Sequence, residues 1–270
     1  MKQVEPEVFL VARPQVDYDG VAAYLQAVGG QRWLERLDRD QLDDSADDRR
    51  IDAQNLAEFA GKMCYRSWEP GLNPNVRRVR DDQAQYLQNI LRSGHGSVLE
   101  HISFTFVLHN VSRVFSHELV RHRPGTAISQ ESLRFVRLDE IPFWFPGWAR
   151  EDPELMKRAT ALLAEMEAFQ GWMSEHFRLD EEGVPFHEKK HKTSFMRRLA
   201  PDGVATGLVW TANIRALRHT IEMRTDPGAE EEIRLVFGKI GAIMQAEAPA
   251  LFGDYQVTED GAWLPGWRKV

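Results

Sequence analysis

The stretch that most restricts how this chain can fold runs from Ile102 to Arg134. Ile102-Ser103-Phe104-Thr105-Phe106-Val107-Leu108-His109 alternates apolar and polar residues, the period of a strand with one buried face. A helix is expected next, from about Val111 to Val120, ending in Arg121-His122-Arg123-Pro124-Gly125. Such a strand needs partners and an apolar cover, and helical patterns dominate the rest of the chain. In Ile51–Tyr65, Leu56, Phe59, Ala60, Met63 and Cys64 recur at helical spacing. Pro153–Phe177 carries Leu155, Ala159, Leu162, Leu163, Met166 and Phe169 along one side. Further helices are expected over Tyr18–Val28, Arg32–Leu37, Val76–Leu91, His187–Leu199, Asn213–Met223 and Glu230–Ala248, and strands over Val8–Val11, Leu133–Leu138 and Val204–Trp210. Long helices with scattered strands favour an α+β fold over an alternating βαβ order. Ser67–Asn75 reads as a loop and Ile141–Trp148 as a packed loop. The acidic segment Asp38–Asp48 reads as solvated, with Ser45 or Asp47 a candidate cap for the next helix. The aromatic tail Trp263–Trp267 has no assignment.

A helix C-terminus attracts one or two cations through its dipole. That does not explain why Thr126, Ser129, Gln130, Ser132 and Arg134 follow the triplet directly. Together these residues read as a site for phosphate and a planar heterocycle. The formal net charge is −7, which argues against general nucleic-acid binding and makes any anion site a local basic patch. Cys64 is the single cysteine, so no intrachain disulfide forms, and its place on an apolar helix face reads as a small buried hydrophobe. No apolar run has membrane-spanning length, and the N-terminus lacks a signal-peptide core. A cytoplasmic location is expected.

Two familiar motifs fail. Gly94-His95-Gly96 has Leu99 where a dinucleotide fingerprint needs its third glycine, and a strand follows instead of a helix. His187-Glu188-Lys189-Lys190-His191 is a literal HExxH, which on a helix puts two imidazoles on one face as zinc hydrolases require. Two lysines beside the would-be cation and the lack of a third ligand at a familiar spacing argue for a solvated helix face. A zinc hydrolase remains the rival reading from another class, and no metal ligands are assigned.

At Arg121-His122-Arg123, with Ser132 and Arg134 beyond, the sequence resembles the flavin-dependent thymidylate synthases. Gly61-Lys62-Met63-Cys64-Tyr65-Arg66-Ser67 is similar to the family's N-terminal CY segment. Gly94 to His101, then Phe104-Thr105-Phe106, is similar to its GHxSxxEH stretch and following strand. Arg197-Arg198-Leu199-Ala200-Pro201 resembles a segment supplying an arginine to the nucleotide, and Trp210 to Arg215 with Arg224 resembles the NxR…R helix. The resemblance covers about residues 57 to 248 and implies one catalytic domain over 1–270, with N- and C-terminal extensions and a mixed or antiparallel sheet among long helices. The implied activity is reductive methylation of dUMP to dTMP, with methylenetetrahydrofolate as carbon donor and NADPH as electron source through FAD. A paralogue methylating another pyrimidine nucleotide, such as UMP, is the alternative within the class. The implied assembly is a homotetramer with FAD sites shared between subunits, without nucleic acid or membrane partners.

By the same resemblance Ser97, Arg121, His122, Arg123, Gln130, Asn213, Ile214, Arg215 and His219 hold the flavin. Glu118, Arg121, Gln130, Glu131, Ser132, Leu133, Arg134, Arg197 and Arg224 bind the nucleotide, and Arg224 is the catalytic candidate. A cation at the N3/O2 edge of the uracil stabilises the ionised ring, and arginine forks suit the phosphate. The chain departs from the family pattern at four places. Eight residues instead of seven separate Arg123 from Ser132, Glu118 stands where Gln is common, His219 where Asn is common, and Gln130 where Glu is common.

Overall fold

A computed structural model describes residues 1–40, 51–134, 138 and 140–270. Its centre is a four-stranded antiparallel sheet in the order β2-β3-β6-β4: β2 (Glu7–Ala12), β3 (Ser103–Ser112), β4 (Thr126–Gln130) and β6 (Ala205–Asn213). The expected alternation of β3 is present: Phe104, Phe106 and Leu108 are buried on one face. They lie in register with Ala212, Trp210 and Leu208 of β6. The strand outruns its pattern, because the register shifts between Leu108 and Val111. Asn110 sits there at φ 58°, a left-handed conformation that asparagine tolerates. The bulge lets pairing continue to Ser112, so α5 (Arg113–Leu119) starts later than expected.

Helices cover that one face. They are α3 (Ile51–Tyr65), α4 (Gln83–Ser93), a 3-10 helix (Gly96–His101), α9 (Ile214–Arg224), α10 (Glu231–Glu247) and α11 (Pro249–Phe252). Their apolar sides form one core with the sheet and α5, including Leu87, Leu99, Phe115, Ile221, Phe237 and Met244. Side chains mark most starts: Asp82 accepts from Gln85 N at α4, Ser112 from Phe115 N at α5, and Asn213 from Ala216 N at α9. The Asp82 cap explains why α4 starts at Gln83 and not at Val76 as its charged sequence suggested. The opposite sheet face carries the row Phe9, Val107, Val209 and Ser129 across the four strands, with Phe9 and Val209 exposed.

Beside this layer stand α1 (Tyr18–Val28) and α2 (Gln31–Asp40), whose Leu25 and Trp33 pack with Trp68. After α6 (Gly147–Arg150), the helix α7 (Pro153–His176) packs its Leu163 into a second core with Leu133, Ile141 and Val204, and α8 (Phe186–Met196) packs Met196 against Met173 of α7. The expected packed loop contains β5 (Pro142–Phe143), parallel to β1 (Lys2–Gln3). The unassigned tail forms the hairpin β7 (Tyr255–Val257) and β8 (Trp263–Pro265), with Trp263 in the main core.

Three expectations are corrected. Thr126–Gln130, where no strand was expected, is a strand pairing with β6 from Thr126↔Ala212 to Gln130↔Leu208. Of the expected strand Leu133–Leu138, Leu133 and Arg134 form a turn while 135–137 lie outside the described residues. Cys64 is exposed, its thiol directed at the Ala60 carbonyl, and is no core residue. The candidate cap at Ser45 or Asp47 also lies outside the described residues.

Candidate active site

The helix α5 delivers Arg121-His122-Arg123 to the end of the sheet where β4 begins and β6 runs into α9. Gly125 makes the junction tight. Its φ is 71°, its carbonyl accepts Asn213 N–H at 2.9 Å, and a Cβ there would lie 2.7 Å from Asn213 Cγ. Only glycine fits that position without strain. Asn213 spends its side-chain oxygen on the α9 cap, which leaves its NH2 group free to donate.

These elements enclose a cavity of about 360 Å³ lined by Arg121, His122, Gly125, Asn213, Arg215 and His219, with Glu100 and Thr220 at its wall. Five of the expected flavin residues therefore meet in one place: Arg121, His122, Asn213, Arg215 and His219. Glu100 pairs with Arg215. Arg121 has no carboxylate partner among the described residues, so a free positive charge faces the cavity. Gly96 packs against Arg215, where a Cβ would lie 2.8 Å from Nε. An unpaired arginine, an amide donor, two imidazoles and close glycine backbone suit an anionic planar group such as a flavin. At this size the cavity is at the lower end of sites for a drug-sized ligand, so the rest of a dinucleotide must lie outside it.

Other expected flavin residues stand elsewhere. Ile214 is fully buried and can offer a ligand only its backbone. Ser97 is exposed on the 3-10 helix at the rim, and Arg123 is exposed with its carbonyl accepting from Thr126. Gln130 donates to Ser116 Oγ at 3.1 Å and is held against α5.

The best-defined charge is Arg224. Its Nε donates to His122 Nε2 at 2.7 Å, Nη1 meets Glu118 Oε2 at 2.5 Å, and Nη2 reaches the Glu118 carbonyl at 3.2 Å. Three of its five N–H groups are spent on the protein and two remain. Glu118, which the sequence placed on the nucleotide, thus holds Arg224 in place. His122 is neutral near pH 7: burial first, then the charges of Arg224, His219 and Arg121, lower its pKa to about 4. With Nε2 accepting, Nδ1 carries its proton.

Four of the expected nucleotide residues, Glu131, Ser132, Leu133 and Arg134, follow the other end of β4, with Ser132 roughly 20 Å from Gly125, whereas Arg121 lines the cavity and Glu118 and Arg224 stand beside it. Glu131 turns onto β6, where its carboxylate accepts Gly207 N–H at 2.9 Å. The Leu133 side chain is buried in the second core, so only its backbone can face a ligand. Ser132 Oγ accepts from Arg134 N at 3.4 Å, and the Arg134 carbonyl accepts from Thr193 Oγ1 of α8. Arg134 Nε is buried without an acceptor among the described residues, an orphan donor of the kind a bound anion satisfies. Arg197 is exposed where a 3-10 turn, Arg197–Leu199, leaves α8. His187, Glu188 and His191 are exposed on α8, and no group of three His, Cys, Asp or Glu among the described residues can hold a metal. Reasoning from sequence missed Gly125 and Thr220 as cavity residues; the Pro124-Gly125 pair was the signal for the first.

A free cation and an amide donor beside a guanidinium locked in one orientation suit an anionic, ring-bearing ligand. The family described as thymidylate synthase complementing protein matches residues 48–250. The chain is 35% identical to the flavin-dependent thymidylate synthase of Mycolicibacterium gilvum over 75% of this chain and 80% of that protein. It is 32% identical to the Corynebacterium diphtheriae protein of that name over 82% and 87%, and 36% identical to that of Mycobacterium sp. (strain JLS) over 75% and 80%. The chain belongs to the flavin-dependent thymidylate synthase family, a family of enzymes. No helix among the described residues is long and apolar enough to cross a membrane.

Proposed function

We propose that this chain, acting as a single catalytic domain, methylates dUMP to dTMP with FAD as cofactor, methylenetetrahydrofolate as carbon donor and NADPH as reductant. The observation that carries the reading is Arg224, fixed by His122 and Glu118 beside the Arg121–Asn213–Arg215 cavity with two N–H groups to spare. A guanidinium held there stabilises negative charge on a pyrimidine edge without reorganising, which is where a positioned charge contributes most. Arg121 and the Asn213 amide orient the flavin, and bound flavin supplies hydride chemistry and carries the one-carbon unit. Ser132, Arg134 and Arg197 hold the phosphate of the nucleotide.

The residues proposed for the nucleotide are split within one chain: Arg121 and Arg224 are beside the cavity, while Ser132 and Arg134 lie beyond the far end of β4. This separation, together with the open sheet face carrying Phe9 and Val209, supports a homotetramer in which one subunit's nucleotide set completes another's flavin set. The test is spectroscopic. Purified protein should be yellow, bleach with NADPH, and recolour when dUMP and methylenetetrahydrofolate are added, with dTMP formed and no product from UMP. Arg224→Ala should keep the flavin and lose turnover at least 100-fold. A protein that takes up no FAD, or an Arg224→Ala variant as active as the wild type, refutes the assignment.

A further inference from the structure

A second cavity, of about 440 Å³, lies on the other side of the Gly94–Gly96 turn and is lined by Tyr65, Arg77, Arg78, Arg80, Asn89 and His95. Its two walls are fixed. On one, Tyr65 and His95 stack with ring centroids 5.7 Å apart and 17° between planes, and Tyr65 Oη lies 3.1 Å from His95 Nε2. On the other, the loop carrying the arginines is tied from beneath. Lys62, 1% exposed, donates to the Arg80 carbonyl at 3.0 Å and pairs with the fully buried Glu58 at 3.5 Å. Asn73 donates to the Tyr65 carbonyl, and Val76 N bonds the Asn73 carbonyl.

The charge of this cavity is unlike that of the chain. The protein carries −7 overall, yet Arg77, Arg78 and Arg80 are exposed within four positions. None has a carboxylate partner among the described residues. The nearest acids in sequence are already engaged: Asp81 pairs with Arg32, and Asp82 caps α4. Three unpaired guanidinium groups on an anchored loop repel one another and are stabilised by a multiply charged anion. One turn links this cavity to the Arg121–Asn213–Arg215 cavity. His95 lines one side, while the next residue, Gly96, packs against Arg215 on the other.

We propose that this groove receives the anionic tail of a co-substrate whose planar ring reaches the flavin past His95. The ligand class is a planar heterocycle joined to a chain of several negative charges. Both co-substrates of the proposed reaction have that chemistry: a nicotinamide dinucleotide with its phosphates, and a folate with a polyglutamate tail. The inference rests on the proposed reaction for the identity of the ligand, but the anion site itself is tested without turnover.

The variant is the full-length holoenzyme with Arg77→Gln, Arg78→Gln and Arg80→Gln, with Arg77→Gln alone as a milder one should the triple fail to fold. With FAD and dUMP saturating, inorganic tripolyphosphate titrated calorimetrically should bind the wild type and bind the triple variant at least tenfold more weakly, with flavin content unchanged. Equal binding to both, or none to the wild type, overturns the site whether or not dTMP is made. In steady state, KM should rise about tenfold with little change in kcat, and the salt dependence of KM should flatten. If the reductant is the ligand, KM rises for NADPH and, by a smaller factor, for NADH, which lacks the 2′-phosphate. If the folate is, it rises for pentaglutamyl and not for monoglutamyl methylenetetrahydrofolate. No rise in either case refutes the co-substrate assignment, whereas a wild type making no dTMP refutes the proposed reaction and leaves the tripolyphosphate result standing.

Discussion

The contact between His122 and Arg224 gives a quantitative prediction. The imidazole titrates at about 4, against an ordinary value of 6.5, because it is partly buried and because Arg224, His219 and Arg121 are close. The unfolded chain therefore takes up a proton on this histidine between pH 6.5 and 4 while the folded chain does not. Stability tied to His122 is complete above pH 6.5 and is lost as the pH falls through that window. The full displacement corresponds to roughly 3 kcal/mol; with the ring half-open to water, about 1–2 kcal/mol remains after screening. Protonation also removes the acceptor for Arg224 Nε and sets two cations against each other, which releases Arg224. The assay is proton NMR of the His122 Cε1–H, assigned by difference against His122→Gln. The wild-type midpoint should lie near 4, and Arg224→Ala should move it up toward 6.5 without reaching it, because burial is the larger cause. In denaturant titrations from pH 7 to 4, the wild type should lose about 1–2 kcal/mol more than His122→Gln. A wild-type midpoint near 6.5, or no movement in Arg224→Ala, would refute the reasoning.

Three further predictions follow from other contacts. Gly125→Ala puts a side chain at φ 71° and a Cβ against Asn213, so stability should fall by about 1–3 kcal/mol and flavin content should drop, read by denaturation and by absorbance. Glu232 is buried and accepts from Ser112 N and Oγ; burial pushes its pKa up to about 7 despite those bonds. Its folded form prefers the proton, so stability is lost as pH rises from 4.5 through 7, and Glu232→Gln should flatten that decline, measured by unfolding at several pH values. Arg218, 2% exposed, forks onto Asp254 at 2.7 and 2.8 Å and bonds the Leu251 and Trp267 carbonyls. Arg218→Lys loses the fork and should cost about 3 kcal/mol or more, with the C-terminal hairpin cut first in limited proteolysis.

What the sequence determined by itself was local. Apolar periodicity marked α3 and α7 to within a residue, because one helix face must meet the core whatever its partner is. Alternation marked β3 for the same reason, and Arg121, His122, Asn213 and Arg215, singled out in the sequence, line one cavity. Tertiary structure decided the rest. Thr126–Gln130 carries no strong apolar alternation; it is a strand because β6 offers its backbone groups partners. Cys64 sat on an apparent apolar stripe, yet it is exposed, since burial belongs to the neighbour and not to the residue. Glu118 binds Arg224, 106 residues away, a contact that no local pattern reports. That pairing and the neutral His122 beside Arg224 arise from chain segments brought together only by folding. Periodicity reports which side of an element faces inward, whereas charge pairing and pKa depend on what the fold sets opposite it.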